Sequence, residues 1–392
     1  MKITSITAYA IKARTRYQMS GQIQAAQQLP GSDYFQFPPY PELYSENSEA
    51  MVVKVETDEG VTGWGEAQNP IGPEVSQKII ERVIGPMVLG HDPQATNLRY
   101  MEMYETLRVR GQNSGYMHDA IAAIDTALWD IKGKAVAQSV STLLGGRFRD
   151  TLPCYVTGLR GKTREARLEE AVEWTRQGVS LKPFLGFGYA EDTAEISAIR
   201  QAVGDEARIF MDGVWKYSVP EALRVGRMLE THGVEFFESP LLPEDIEGHS
   251  KLARKLDVAV AIGEALRSRH QFFPWFQAQA LDICQPDVMR NGISEAYKIA
   301  LMAETYNVPV ALHCGVVTVV GMAATWQVAA AIPNFFIQEY QPVMLPLFNP
   351  WLEEPLQITN GQLVVPSGPG LGITINEARF EQDVDSKVTI TL

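Results

Sequence analysis

Eight short apolar runs recur in the second half of the chain, each followed by a helical stretch, and no other feature constrains the fold as tightly. They are LPCYVTG, GVSLKPFLG, ARIFMDG, GVEFFES, VAVAIGE, LDICQPD, VPVALHC and NFFIQEY. Runs of this length, bounded by turn residues and rich in β-branched and aromatic side chains, read as buried strands. Eight strands alternating with helices predict a (β/α)8 barrel beginning near residue 152.

Seven of the eight runs finish on, or just before, a polar or ionisable residue. In order these are Lys182, Asp212, Glu238, Glu264, Asp287, His313 and Glu339, separated by 30, 26, 26, 23, 26 and 26 residues. One βα unit takes about that many residues. Each group therefore occupies the same place in its unit, the C-terminal end of a strand, which is the face of such barrels that carries chemistry. A single acid there would pass as a helix cap or a surface residue. The repetition in register is what marks a site.

Asp212, Glu238 and Glu264 come from three neighbouring strands, the third to the fifth. Three converging carboxylates repel one another unless a cation neutralises them. Ligands that are all oxygen favour Mg²⁺, which keeps positions open for water or substrate. On the sixth and seventh strands, Asp287 and His313 are spaced to form a carboxylate–imidazole pair, in which the carboxylate orients the ring and raises its basicity. Glu339, on the eighth, stands where it would meet the oxygen of an enolate, with a plain surface acid as the competing reading. Cys314 follows His313 directly and so points to the opposite face of its strand, which argues against a Cys–His nucleophile.

Before the barrel the pattern differs. ITSITAY and AMVVKVETDEGVTGWGEA alternate like strands. Between them, a segment from about Arg14 to Asn47 carries several prolines and six aromatics, and its length suggests a lid or binding loop. Residues 74 to 145 read as helices, and Ile121, Ile124, Leu128 and Ile131 mark one apolar helical face. The last 40 residues, 353–392, return to turn-rich, strand-like sequence.

Composition narrows the partners. A net charge of −13 argues against nucleic acid or an anionic membrane as the main partner. Cys154, Cys284 and Cys314 are too scattered for a disulfide framework or a zinc pattern, and a cytoplasmic location is the simple reading. No apolar signal-peptide core opens the chain. From Val308 to Gln338 there is no Asp, Glu, Lys or Arg, long enough for a membrane span. However, His313, Gly315, Gly321, Gln327 and Pro333 interrupt it, so a buried strand, helix and strand are expected instead.

Taken together, these residues resemble the enolase superfamily and, within it, the mandelate racemase subgroup. The resemblance rests on HDAIAAIDTALWDIKGKA entering the barrel, on MDG, FFESP and IGEA, on LDICQPDV and ALHCG, and on GPGLGI near the C-terminus. It implies an α/β chain with a (β/α)7β TIM-like barrel over residues 126–352. An α+β capping domain over 1–125, with a specificity loop at 14–47, would be completed by 353–392. It also implies a shared first step: Mg²⁺ binds the substrate carboxylate, a base removes the adjacent proton, and the enolate is stabilised. Carried over, Asp212, Glu238 and Glu264 are the metal ligands. His313 with Asp287 is one base, and Glu339 is a hydrogen-bonding acid.

Two departures shape the expected reaction. The family's second-strand motif is Lys-x-Lys, and its second lysine is the usual base for the other face; this chain reads Lys182-Pro183-Phe184. Phenylalanine moves no proton, so a two-base racemase is disfavoured. Elimination of water needs one base, and dehydration of an acid sugar, an aldonate or aldarate, to a 2-keto-3-deoxy acid is expected, with Lys182 as an electrostatic partner. The second departure is Val214, where Asn is frequent. An epimerase, racemase or cycloisomerase stays open if a tyrosine such as Tyr155 or Tyr189 replaces the lysine. A non-catalytic binding protein on the same scaffold stays open too. Arg14, Arg16 and Arg160 are candidates for a distal carboxylate. A small carboxylate is the expected partner, and self-assembly into a homo-oligomer is expected by analogy alone.

Overall fold

Strands Thr151–Thr157, Ser180–Lys182, Met211–Asp212, Phe236–Glu238, Ala259–Ile262, Ile283–Cys284 and Gln338–Tyr340 lie in a ring, with the stretch around Val310 to His313 between the last two. These positions come from a computed structural model, which describes residues 1–15, 26–37, 40 and 42–392. All pairings around the ring are parallel. Ladders join the first strand to the second, the third to the sixth in series, and the eighth back to the first. Single bridges close the gaps: Leu181 to Ile209, Phe184 to Asp212, Cys284 to Val310, Asp287 to His313 and Val310 to Phe335. A helix follows each of the first seven strands, which makes the barrel (β/α)7β.

The seventh run, expected as a strand like the others, forms no continuous ladder. Pro286 and Pro309 supply carbonyls to His313 and Cys284, but a proline has no N–H to return. The helix that follows, Val319–Ala331, is buried along its whole length. None of the described helices is long and apolar enough to cross a membrane.

Inward-pointing Tyr155, Phe210, Phe236, Ala261, Ile283, Ala311 and Ile337 fill the barrel floor. Phe210 and Phe236 stack with ring centroids 4.3 Å apart, and Tyr155 meets both edge-on. This packed layer closes the lower end, so only the upper end is open to a ligand.

The N-terminal part forms a four-stranded antiparallel sheet in the order Val384–Thr391, Ile3–Arg14, Asn47–Thr57, Thr62–Ala67. The final strand of the chain thus completes the first sheet. The rest of the C-terminal segment is divided from it, because Gln362–Val364 pairs antiparallel with the first barrel strand. Helix Tyr116–Ala135 packs on the sheet through Ile121, Ile124, Leu128 and Ile131. Each such aliphatic side chain contributes roughly 2 kcal/mol when buried, so an Asp at Ile124 would break the contact. The helix runs unbroken through residues 125 and 126, where the sequence reading divides cap from barrel.

Three acids fasten cap to barrel. Asp130 accepts from Trp64 N of the cap sheet and Leu371 N of the C-terminal segment, both at 2.9 Å. Asp125 accepts from Ser294 N and Oγ. Glu66 accepts from Thr318 N, Thr318 Oγ1 and Gly321 N at the start of Val319–Ala331. These contacts account for the acids in DTALWDIKGKA and for GPGLGI. Part of the expected 14–47 loop is sheet: Gln27–Gln28, Tyr34–Gln36 and Leu43–Ser45 pair antiparallel. Strands of two or three residues are too short for a period to appear in the sequence.

Candidate active site

Lys182, Asp212, Glu238, Glu264, Asp287, His313 and Glu339 gather at the open end of the barrel, and their place at the C-terminal ends of parallel strands is what brings them to one height. Lys182 Nζ lies 2.7 Å from Glu238 Oε1, 3.1 Å from Glu339 Oε1 and 3.4 Å from Asp212 Oδ2. The Tyr155 ring sits beneath it, with the ammonium 5.3 Å from the centroid. Burial alone would push the ammonium down, but Glu238, Glu339, Tyr155 and Asp212 hold it well above the usual lysine value. Lys182 is therefore a fixed cation.

His313 is clamped from two sides. Its Nδ1 lies 2.6 Å from Asp287 Oδ2, and its Nε2 lies 2.9 Å from Glu264 Oε2. Asp287 is itself fixed, because its Oδ1 accepts from Met289 N at 2.7 Å. Burial pushes the imidazole down, yet Glu339, Glu264 and Asp287 raise it well above the ordinary histidine value. Glu339 links the two cations: Oε1 faces Lys182 and accepts from Thr157 Oγ1 at 2.5 Å, while Oε2 accepts from Cys314 N at 2.7 Å and stands 3.7 Å from His313 Nε2. Burial opposes its charge, but Lys182 and His313 keep its carboxyl below the usual range. Cys314 itself is buried, and that burial raises its thiol well above the usual value.

The three acids of strands three to five differ. Asp212 Oδ1 accepts from Val214 N at 2.9 Å, and burial raises its carboxyl. Glu238 is fully buried, and its Oε2 accepts from Gln285 Nε2 at 2.6 Å. Burial pushes it well up; Lys182 opposes this, while Asp212, Glu339 and Glu264 add to it. Glu264 accepts from Trp215 Nε1 at 2.8 Å and is held low, against its burial, chiefly by His313. Gly263, just before it, has φ 153°, and a Cβ there would lie 2.7 Å from the Gln285 backbone. Only glycine lets Glu264 reach the site from there.

Residues 44–145 match the N-terminal domain family of mandelate racemase and muconate lactonizing enzyme, and residues 164–379 match the enolase C-terminal domain-like family. The chain belongs to the enolase superfamily, in its mandelate racemase group. Among its relatives, D-galactarolactone cycloisomerase of Agrobacterium fabrum is 35% identical over 83% of this chain and 89% of that protein. Arabinonate dehydratase of Saccharolobus solfataricus is 33% identical over 85% and 90%. A crystal structure of an enolase-superfamily member from Agrobacterium tumefaciens superposes with a TM-score of 0.93 at 27% identity, over 99% of each chain.

Members of this superfamily generally use Mg²⁺. Among the described residues, no three His, Cys, Asp or Glu side chains are arranged as they would be around a metal. Glu264 is turned to His313 and Glu238 to Lys182. In chemistry the set fits nonetheless. Asp212, Glu238 and Glu264 offer only oxygen, and together with Asp287 and Glu339 they make five acids packed around Lys182 and His313.

A cavity of about 310 Å³ opens above the cluster. Phe184, Val214 and Trp215 give it an apolar wall on the strand-two and strand-three side, opposite His313. Val214 and Trp215 have φ of 47° and 57°, left-handed values that non-glycine residues adopt at a cost. This turn replaces the expected Asn and aims the Trp215 indole N–H at Glu264.

The candidates beyond the cluster fall elsewhere. Tyr155 belongs to the barrel floor and does not reach the cavity; Tyr189 lines a separate hollow, under Arg224. Neither supplies a second base. Arg14 lines a surface pocket with Asp33 and Glu46, and Arg160 donates to Thr157 O, Gly158 O and Gln341 Oε1, behind Thr157 and Gln341, which line the cavity. Arg16 lies outside the described residues. Sequence reasoning missed Glu42, Gln68 and Arg290, all of which line the cavity. Arg290 had a signal, three residues after Asp287 in QPDVMRNG. Gln68, one residue past a cap strand, had none.

Proposed function

We propose that the chain is a hydro-lyase that dehydrates an acid sugar to a 2-keto-3-deoxy acid, with His313 as its base. The observation that carries this reading is one-sidedness: His313, oriented by Asp287, faces an apolar wall in which Phe184 stands where a second base would be. A Mg²⁺ ion held by Asp212, Glu238 and Glu264 would supply positive charge for the substrate carboxylate and the enolate oxygen. With Glu264 so engaged, Nε2 of His313 would lose its nearest hydrogen-bond partner and be free to accept a proton, while Asp287 keeps the ring oriented. His313 takes the proton from the carbon next to the carboxylate, and the C–H electrons pass into the enolate. Lys182 would meet that enolate as a cation, and Glu339, which Lys182 and His313 hold ionised here, would serve as a hydrogen-bonding acid only after taking up a proton. As the enolate collapses, the C3–O bond breaks, and the His313 imidazolium gives its proton to the departing hydroxide. Water and an enol result, and the enol becomes the 2-keto acid.

A cycloisomerase is the second reading. It is favoured by the 35% identity to D-galactarolactone cycloisomerase and by the same one-sided site. There the leaving oxygen belongs to a ring and stays attached, so the product has the mass of the substrate. Incubating the protein and Mg²⁺ with mono- and diacid sugars and their lactones, with mass spectrometry of the products, separates the two. Dehydration predicts a product lighter by one water. An unchanged mass with a changed structure makes it a cycloisomerase, and no product from any acid leaves a binding protein.

A further inference from the structure

Arg290 and Gln68 meet at the junction of barrel and cap, beside His313. Arg290 Nε donates to Gln68 Oε1 at 2.5 Å, and Arg290 Nη1 donates to the Glu264 carbonyl at 2.7 Å. Two of the three guanidinium nitrogens are thus committed. Nη2 has no partner among the described residues, and Arg290 lines the cavity. An arginine can only donate, so Gln68 must present its oxygen to it. That fixes the amide with Nε2 turned away, toward Gly315 and His313. Nε2 too has no acceptor among the described residues, although Gln68 is 96% buried (4% exposed).

The surroundings are shaped for this amide. A Cβ on Gly315 would lie 2.3 Å from Gln68 Nε2 and 3.0 Å from His313 Cε1, so any other residue would displace one of them. Gln68 is held from its backbone as well, by Gln68 N donating to Met289 O. The Arg290 and Gln68 side chains therefore offer two neighbouring donors, one cationic, with no acceptor left over. Three acids feel the Arg290 charge. Glu264 bonds it through its carbonyl, while its carboxylate is turned to Trp215 and His313 and makes no ion pair with it. Asp119 is paired with Arg267 instead. Glu42, across the cavity, makes no ion pair with Arg290, and instead accepts from Tyr44 Oη at 2.6 Å.

We propose that Gln68 Nε2 and Arg290 Nη2 together bind a second carboxylate of the substrate, which makes this a diacid enzyme, selective for aldarates over aldonates. This rests on the acid-sugar reading above. A carboxylate presents acceptor lone pairs only, and its bond to a guanidinium is charge-assisted, whereas a terminal hydroxyl gains no such charge pairing. A cap residue and a barrel residue must come together to form the pair, so the diacid also holds the cap in place over His313.

The test is calorimetric titration in Mg²⁺ buffer, in the His313→Asn background so that bound acid is not consumed. The ligands are an aldarate and the aldonate of the same length and configuration. The aldarate should bind about tenfold more tightly, the difference that one charge-assisted contact makes. Arg290→Met should bring the two affinities within about twofold. Gln68→Glu still accepts from Arg290 Nε and so keeps the fold contact, but places a negative charge against the second carboxylate, and should reverse the preference. Equal binding of both acids, or an aldarate preference that survives Gln68→Glu, overturns this proposal and leaves the dehydratase reading standing. If neither acid binds, both fall.

Discussion

Glu264 Oε2 stands 2.9 Å from His313 Nε2, so a proposed metal ligand and the proposed base hold each other. The pair cannot stay closed while Glu264 serves a metal and His313 accepts a proton. Mg²⁺ should therefore both stabilise the protein and open this contact. At a hundredfold excess over its Kd the ion should add roughly 2–3 kcal/mol to stability, read as a higher melting temperature. The ¹⁵N signals of the His313 ring should shift in the same titration. Glu238→Gln should lose both responses, and a variant that keeps them would remove Glu238 from the ligand set.

Phe184 leaves one face of the substrate without a base. In D₂O the wild type should exchange the α-proton of only one C2 epimer of an acid substrate. Phe184→Lys places a second ammonium two residues from Lys182, and exchange of the other epimer should then appear in the NMR spectrum. Exchange of both epimers by the wild type would mean that a second base exists.

Trp215, next to Val214, donates to one of the proposed metal ligands. Its Nε1 lies 2.8 Å from Glu264 Oε1. Trp215→Phe keeps the apolar wall but deletes that bond to a charged group, worth about 1.5–3 kcal/mol. Mg²⁺ affinity should fall about tenfold by calorimetry, at about 1.4 kcal/mol per decade. An unchanged affinity would show that Trp215 only packs.

Glu66 and Asp125 bind cap to barrel as buried acids, and burial pushes each up to about 7, from 4.5 and 3.8. In both, the folded state holds the proton more tightly than the unfolded chain. The stability they give is whole below about pH 4 and is lost as pH rises through about 7. For Glu66 that loss is about 3 kcal/mol. Melting temperatures taken between pH 4.5 and 8 should fall more steeply in the wild type than in Glu66→Gln, and equal slopes would mean that Glu66 is ionised throughout.

The strand ends were legible because a βα unit has a nearly fixed length, so Lys182, Asp212, Glu238, Glu264, Asp287, His313 and Glu339 declared themselves by spacing. Their partners did not. That Glu264 turns to His313, or that Glu339 links His313 to Lys182, depends on rotamers and on charge balance across the barrel. Gln68 stayed hidden because a neutral amide after a cap strand has no pattern, and its meaning comes from Arg290, 222 residues away. The seventh strand read as regular, although Pro286 and Pro309 already signalled a broken ladder. Tyr155 read as a candidate second base because spacing does not tell how deep in a barrel an inward-facing strand residue sits.

The central claim is that His313 is the base. The direct measurement is the ¹H NMR time course of the substrate α-proton and of 2-keto-3-deoxy product, with Mg²⁺, for the wild type and for His313→Asn. Asn keeps the size and a hydrogen bond to Asp287 but takes up no proton. The account predicts product from the wild type and a rate at least about a thousandfold lower from the variant, with Mg²⁺ binding retained. Undiminished proton loss in His313→Asn would contradict it.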